Sequence, residues 1–310
     1  MKIAIIGAGL AGLSAAGVLS QAGHGVQLFD KARGPGGRMS TRRIETPQGT
    51  AYFDHGAQYF TVRDPEFAAE VARWEADTTA ARWPAAGEAA WVGTPGMNAI
   101  IKRLAAGHDV QWNCRVERLN RDAAGWQAVH AGGMVQADAV IVAVPAEQVG
   151  DLIGPHLPDW AALAAETLSQ PCWTVMAAFA ERLDIAADAL RPEGATGWAA
   201  RNSAKPGRMG PESWVIQGSP DWSAAHLEDE GEAVIAALLA DFAVAAALSL
   251  PEPMAVQAHR WRYALAGAAG RTALWDGRLG LGLCGDWLIG PRIESAWASG
   301  RALAASIGAG

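Results

Sequence analysis

The chain has 310 residues, half of them apolar and 18% charged, enough for one large or two medium domains with a substantial core. A formal net charge of −7 disfavours nucleic acid or an anionic membrane as a partner. No apolar stretch of about eighteen residues runs without a charge or a turn breaker, so no membrane-spanning helix is expected.

In chain order, Lys2 to Ile6 form a short apolar strand, followed by Gly7-Ala8-Gly9-Leu10-Ala11-Gly12, a G-x-G-x-x-G pattern. A helix is predicted from about Leu10 to Gln21, then a second strand, Val26 to Phe29, ending at Asp30. Each part has a mechanical reason. Gly7 permits a tight turn, Gly9 lets the backbone approach a pyrophosphate, and Gly12 lets helix and strand pack closely. The helix N-terminus favours the anion. Asp30 lies 18 residues beyond Gly12, where a carboxylate can accept from both hydroxyls of a ribose. It also argues against a 2′-phosphate, which an arginine would serve. Next comes a loop, Lys31 to Met39, with Gly34, Gly36, Gly37, Arg33 and Arg38. Such a loop either makes a second phosphate contact or is a surface turn; its place directly after the ribose acid favours the first.

Residues 50–63 mix strand formers with a Gly56-Ala57 break that lets backbone come close to something flat. A helix is expected over 66–76, a short strand at Trp91 to Gly93, and a turn at Thr94-Pro95-Gly96. A helix from about Met97 to Ala106 follows, with Asn98 near its cap. Val110 to Leu119 and Gly125 to His130 read as strands of a meander, and Ala137 to Val144 as a buried strand of a parallel sheet. Strands are then predicted at Trp173 to Phe179, Gly197 to Asn202, Trp214 to Gly218 and Met254 to Tyr263. A long helix is predicted over 226–246, with Asp221 or Ser223 as cap. Leu279 to Leu283 returns as a strand, ended by Cys284-Gly285-Asp286, and Glu294 to Ile307 is a final helix. The expected fold class is therefore α/β: a Rossmann-type domain with an inserted mixed α+β domain. Residues 1–75, 92–150 and 271–310 make the first unit, and 76–91 and 151–270 the second.

Cys114, Cys172 and Cys284 are far apart, lack metal-ligand spacing, and read as buried thiols in a reducing compartment; no metal is expected. With a strand starting at Lys2, no signal peptide is expected and the cytoplasm is the expected location.

An N-terminal dinucleotide motif paired with a C-terminal strand, Gly285-Asp286, loop and helix resembles the FAD-dependent oxidases with the amine-oxidase type of fold. Within them the chain resembles the renalases, particularly the bacterial ones. The residues that carry this are Asp30-Lys31-Ala32, Gly36-Gly37-Arg38-Met39, Gly56-Ala57-Gln58-Tyr59, Pro95-Gly96-Met97, Arg115-Val116, Val144-Pro145, Trp261-Arg262 and Cys284-Gly285-Asp286. The resemblance implies a noncovalent FAD. Gly7, Gly9, Ala11 and Gly12 would hold its pyrophosphate, and Asp30 and Lys31 would stand at the adenosine ribose. Gly37, Arg38 and Met39 would lie along the pyrophosphate and ribityl chain. Gln58 and Tyr59 would approach the isoalloxazine, Val116 the adenine through its backbone, and Gly285-Asp286 a phosphate-proximal or ribityl hydroxyl. The helix start around Ile293 and Ser295 would face the flavin C2 carbonyl, where a helix dipole favours the charge of reduced flavin.

It also implies a reaction: hydride transfer from isomeric dihydropyridine nucleotides, 2- or 6-dihydro-NAD(P), to give NAD(P)+, with O2 reduced to H2O2. Amine oxidation is the alternative, and a non-oxidative flavoprotein such as a mutase is another. Relatives that oxidise amines commonly place a lysine near N5. This chain has only Lys2, Lys31, Lys102 and Lys205, the last in a Gly/Pro-rich loop, and none is expected at the flavin. Candidates for the substrate pocket are His259, Trp261 and Tyr263, which alternate along one strand and so share a face, and Trp287. The alternative for each is a packed core position. His55 reads as a hydrogen-bonded structural histidine. Arg201, Arg208 and Arg262 read as surface cations, with contact to substrate phosphates as the other reading.

Overall fold

The computed structural model describes residues 1–308. At its centre is a six-stranded sheet in the order Leu274–Asp276, Leu281–Leu283, Ala139–Val142, Lys2–Ile6, Gly25–Phe29, Asp109–Gln111. All neighbours run parallel except the first pair. The central strands read as unbroken apolar runs because both faces are covered. Ile3 and Ile5 point to one face, where helices Leu10–Gln21, Pro65–Ala76 and Ile293–Gly308 pack. Ala4 and Ile6 point to the other, against the antiparallel strands Val116–Asp122, Gly125–His130 and Gly133–Ala137.

The inserted unit is a five-stranded antiparallel sheet in the order Ala189–Leu190, Thr196–Arg201, Glu212–Gly218, Gln170–Phe179, Ala255–Leu265. One face packs on helix Gly231–Ala245 through Val175, Ala177, Phe179, Trp214, Leu238 and Phe242. The other face meets the hairpin Thr41–Thr46/Gly49–Asp54 through Met176, Ala178 and Val215 against Ile44, Ala51 and Phe53. This second interface is the seam between the two units. The strand, helix and strand from Lys2 to Phe29 fall where the sequence places them, and so does the α/β class with its inserted sheet.

Three expectations need correction. Val110 to Leu119 is not one strand. Asp109–Gln111 joins the parallel sheet, the chain turns at Asn113 with φ 55°, and Val116–Asp122 starts the meander. The turn is tied by Asn113 N to Ala32 O and Cys114 N to Asp30 O, both 2.8 Å, so the loop after Asp30 breaks the run. The helix expected over 226–246 starts later, as Gly231–Ala245, and a separate short helix, Pro220–Ala225, precedes it. Asp221 and Ser223 sit inside that short helix, and the Ser223 hydroxyl accepts from Trp173 N at 3.1 Å instead of capping. Asn98 does stand at the N-cap of Ala99–Ala105, as expected, without a side-chain capping bond. The strand Thr41–Thr46 pairs with Gly49–Asp54 in a hairpin whose sequence signal is the Pro47-Gln48-Gly49 turn.

Candidate active site

Gly7 follows the first strand with φ +105°, and a Cβ there would strike the Ala143 carbonyl; a Cβ on Gly12 would strike the Gly7 carbonyl. At Gly9, which opens the helix, a Cβ would meet nothing within 4 Å, so the backbone is approachable from outside. Ala11 is buried one position before Gly12. Asp30 closes the second strand. Its Oδ2 accepts from Ala8 N and its Oδ1 from Ala32 N, each at 2.8 Å, which holds the carboxylate at the mouth of the glycine turn. Lys31 donates to Gln148 Oε1 at 2.7 Å. Burial and Arg115 push its pKa down, with Asp30 opposing. Val116 begins its strand nearby and is buried.

Gly37, Arg38 and Met39 form one 3₁₀ turn, anchored by buried Met39. The Arg38 fork donates to both carboxylate oxygens of Asp286 at 2.7 Å. This bidentate pair joins the loop after Asp30 to the C-terminal segment. Gly285 N donates to Ser299 Oγ at 2.9 Å, and Asp286 begins the helix Asp286–Ile289. Ile293 and Ser295 lie in the first turn of the final helix, and the buried Ser295 hydroxyl has no hydrogen-bond partner among the described residues. Trp287 is 1% exposed and packs in the core under the sheet, with its ring against the Gly285 backbone. It therefore cannot wall a pocket, because the helical turn at Asp286 folds its side chain inward.

Across the inserted sheet, register aligns Trp198, Gln217, Thr174 and His259 on four neighbouring strands. Gln217 Nε2 donates to Gly56 O at 2.9 Å, and the Tyr59 ring lies 5.3 Å from that of Trp198. The row thus faces the segment Gly56 to Tyr59. Trp261 lies two residues beyond His259 and donates from Nε1 to His55 O at 2.8 Å. The rings of His55, His259 and Trp261 pack with centroids 4.5 to 5.1 Å apart. Tyr263 follows, half-buried, while Arg260 and Arg262 on the opposite side of the strand pair with Glu228. His259 and Trp261 therefore face the seam together, as their spacing predicts. His55 joins them. Trp198, Gln217 and Thr174 were missed, because a cross-strand row is not visible in any one segment.

Burial, the neighbouring His259 and the Arg42 guanidinium push the His55 pKa from 6.5 down to about 3. Burial and Arg42 bring His259 to about 4. Both folded values lie below the unfolded one, so the unfolded chain binds more protons in between. The stability contributed is complete above pH 6.5 and is lost as pH falls through about 4 and then about 3. The midpoint of thermal unfolding should therefore drop between pH 6.5 and 4. His259→Asn should flatten that slope, and an unchanged slope would show that the histidine is not held neutral.

At the hairpin end of the seam lies a buried charge cluster. Asp54 and Lys205 are wholly buried, and the Arg208 side chain is 1% exposed. Lys205 Nζ sits 3.3 Å from Asp54 Oδ2, 3.2 Å from Gln58 Oε1 and 5.1 Å from the centre of the Trp83 ring. Arg208 Nη2 donates to Asp54 Oδ2. Asp54 Oδ1 accepts from Thr41 Oγ1 at 2.7 Å and Met97 N at 2.9 Å. Gln58 Nε2 donates to Asp54 O and to Gly56 O, the latter at 3.1 Å. Burial raises the Asp54 pKa, but Lys205 and Arg208 more than offset this and hold it below the usual carboxylate range. Burial pulls Lys205 down to about 8; Asp54 opposes, and Arg208 adds to the shift.

The cluster overturns two readings. Arg201 and Arg208 are not surface cations: Arg201 is buried and pairs with Glu212 at 3.0 Å, leaving only Arg262 exposed. Lys205 is not a loop lysine remote from the site, since it touches Gln58. Its Gly/Pro-rich loop docks inward because Asn202 bonds the hairpin backbone, accepting from Asp54 N at 3.2 Å and donating to Tyr52 O at 2.8 Å.

Comparison with known proteins decides the family. An NAD(P)-binding Rossmann-like domain matches residues 5–73, and the flavin containing amine oxidoreductase family matches residues 80–308. The chain belongs to the flavin containing amine oxidoreductase family. It is an FAD-dependent oxidoreductase. Its fold is similar to that of cyclohexylamine oxidase from Brevibacterium oxydans IH-35A, with TM-score 0.72 and 14% identity over 99% of this chain and 98% of that one. It is equally similar to putrescine oxidase, with TM-score 0.72 and 15% identity over 100% of both chains. A shorter stretch is 52% identical over 44 residues to an L-amino-acid oxidase of Notechis scutatus scutatus, 14% of this chain and 8% of that protein. Among the described residues no helix is long and apolar enough to cross a membrane.

The residues present fit FAD. The open backbone at Gly9, the carboxylate of Asp30 and the unpartnered buried hydroxyl of Ser295 supply the donors and acceptors a dinucleotide needs. Two of the three thiols are poor candidates for attachment, since burial raises Cys172 to about 11 and Cys284 to about 12.

Proposed function

We propose that this chain is a renalase-like oxidase. It takes a hydride from 2- or 6-dihydro-NAD(P) to give NAD(P)+, with O2 and a proton converted to H2O2. Bound FAD, held without a covalent link by residues 1–75, 92–150 and 271–310, supplies the hydride acceptor. Residues 76–91 and 151–270 supply the substrate wall, and the cytoplasm is the compartment of action.

The observation that carries this reading is the row opposite Gly56 to Tyr59. It offers the flat ring of Trp198, with Tyr59 opposite and Trp261 two residues beyond His259, together with the hydrogen-bonding groups Thr174, Gln217 and a neutral His259. A dihydropyridine becomes aromatic on losing hydride, so no side chain has to remove a proton. What the protein must do is stack a planar ring, hold its carboxamide and exclude water. Trp261→Ala should raise KM about fivefold, in line with the roughly 1 kcal/mol of a stacked aromatic pair, with kcat little changed. A lower unfolding midpoint with KM unchanged would make Trp261 a packing residue only.

Lys205 favours a second reading, amine oxidation, because it places a buried ammonium with a pKa of about 8 beside Gln58. Against it, the ammonium is engaged by Asp54 and has no exposed surface. Anaerobic mixing separates the two. The yellow protein should bleach with 6-dihydro-NAD and stay oxidised with simple primary amines. Bleaching by amines alone would sink the hydride-oxidase reading. Reduction by the dinucleotide without later O2 consumption would point to an electron acceptor other than O2, and turnover with neither lasting bleaching nor peroxide to a mutase.

A further inference from the structure

Five arginines of the described residues are buried or half-buried: Arg38, Arg42, Arg201, Arg208 and Arg260. Four have a carboxylate partner, namely Asp286, Glu212, Asp54 and Glu228 respectively for Arg38, Arg201, Arg208 and Arg260. Arg42 has none among the described residues. The side-chain hydrogen bond it makes is to a neutral ring, Nη2 to His259 Nδ1 at 3.4 Å. A half-buried guanidinium has given up part of its hydration, so it favours a counter-ion from outside where the protein supplies none.

The surroundings reinforce the point. The chain carries a net −7, yet its seam gathers Arg42, Lys205 and Arg208 against one carboxylate. That carboxylate, Asp54, is already engaged by the other two cations. Arg42 and Ile44 alternate onto the same side of their strand, and Ile44 packs on the inserted sheet. This sets Arg42 beside His259, next to the ring group of His55 and Trp261. With Nδ1 accepting from Arg42, the neutral His259 ring carries its proton on Nε2, so a second donor stands beside the cation.

We propose that Arg42 is a specificity-determining residue that binds an oxyanion of the substrate, with His259 as the auxiliary donor. This rests on the dinucleotide reading above, in which the oxyanion is the substrate pyrophosphate; a substrate carboxylate would use the same fork.

The test uses FAD-loaded protein, so that the glycine turn is already filled. Arg42→Gln should raise KM for 6-dihydro-NAD at least tenfold at nearly constant kcat. It should leave an uncharged N-alkyl dihydronicotinamide unaffected, and Arg42→Lys should recover part of the loss. Independently of turnover, inorganic pyrophosphate and benzoate are titrated against the holoprotein while flavin absorbance and tryptophan fluorescence are followed. Wild type should bind one of them and Arg42→Gln at least tenfold more weakly. Tighter pyrophosphate identifies a phosphate-bearing substrate, and tighter benzoate a carboxylate. Absence of binding to wild type, or equal binding by Arg42→Gln and wild type, overturns the proposal. If no dihydropyridine reduces the flavin while Arg42-dependent binding persists, the anion site stands and the hydride-oxidase reading falls.

Discussion

Replacing Asp54 by alanine is expected to destabilise the protein by about 3 to 5 kcal/mol, the usual loss when one partner of a buried ion pair is removed. Asp54 is wholly buried and serves four donors: Lys205, Arg208, Thr41 and the backbone N–H of Met97. Alanine would leave two buried cations without an anion, and a buried amide and hydroxyl without an acceptor. Because Lys205 and Arg208 lie in the loop between two strands of the inserted sheet and Asp54 in the hairpin, the loss would also loosen the packing of hairpin against sheet. Denaturant unfolding measures the effect. Asp54→Asn should reproduce most of it, since the shape stays and the charge goes. Adding Lys205→Met to Asp54→Ala should recover part of the stability by removing one stranded cation. A loss below about 1 kcal/mol would be typical of an exposed pair and would contradict the burial described here.

The second large effect concerns the cofactor. Asp30→Ala should weaken FAD binding by about 2 to 3 kcal/mol, on the order of a hundredfold, the range for hydrogen bonds to a charged group. Flavin content after gel filtration and titration of the apoprotein both report it. Asp30 also holds Ala8 N and Ala32 N, so part of the loss would come through a loosened glycine turn. Asp30→Asn separates the contributions, because an amide retains one acceptor but not the charge. Full cofactor content in Asp30→Ala would remove the ribose role.

Much of the site was legible along the chain where its signal is local. The glycine turn and Asp30 lie within one strand, helix and strand, and each residue type answers a constraint set by near neighbours. The shared face of His259 and Trp261 follows from the two-residue period of a strand. Trp287 shows the limit: it follows Asp286 directly, but whether it walls a pocket or fills the core depends on a helical turn packing under the sheet.

The sequence by itself determined the α/β architecture and the glycine turn with its acid, because apolar runs and a glycine spacing encode them within short segments. Only the tertiary structure decided the chemistry of the seam. Lys205 and Asp54 are 151 positions apart, and Arg42 and His259 are 217 apart. Whether such a cation is solvated, paired or left awaiting an anion depends on which distant groups folding brings beside it. A Gly/Pro-rich loop reads as surface until Asn202 and Asp54 draw it inward, since burial of charge is settled by its partners and not by its neighbours in sequence.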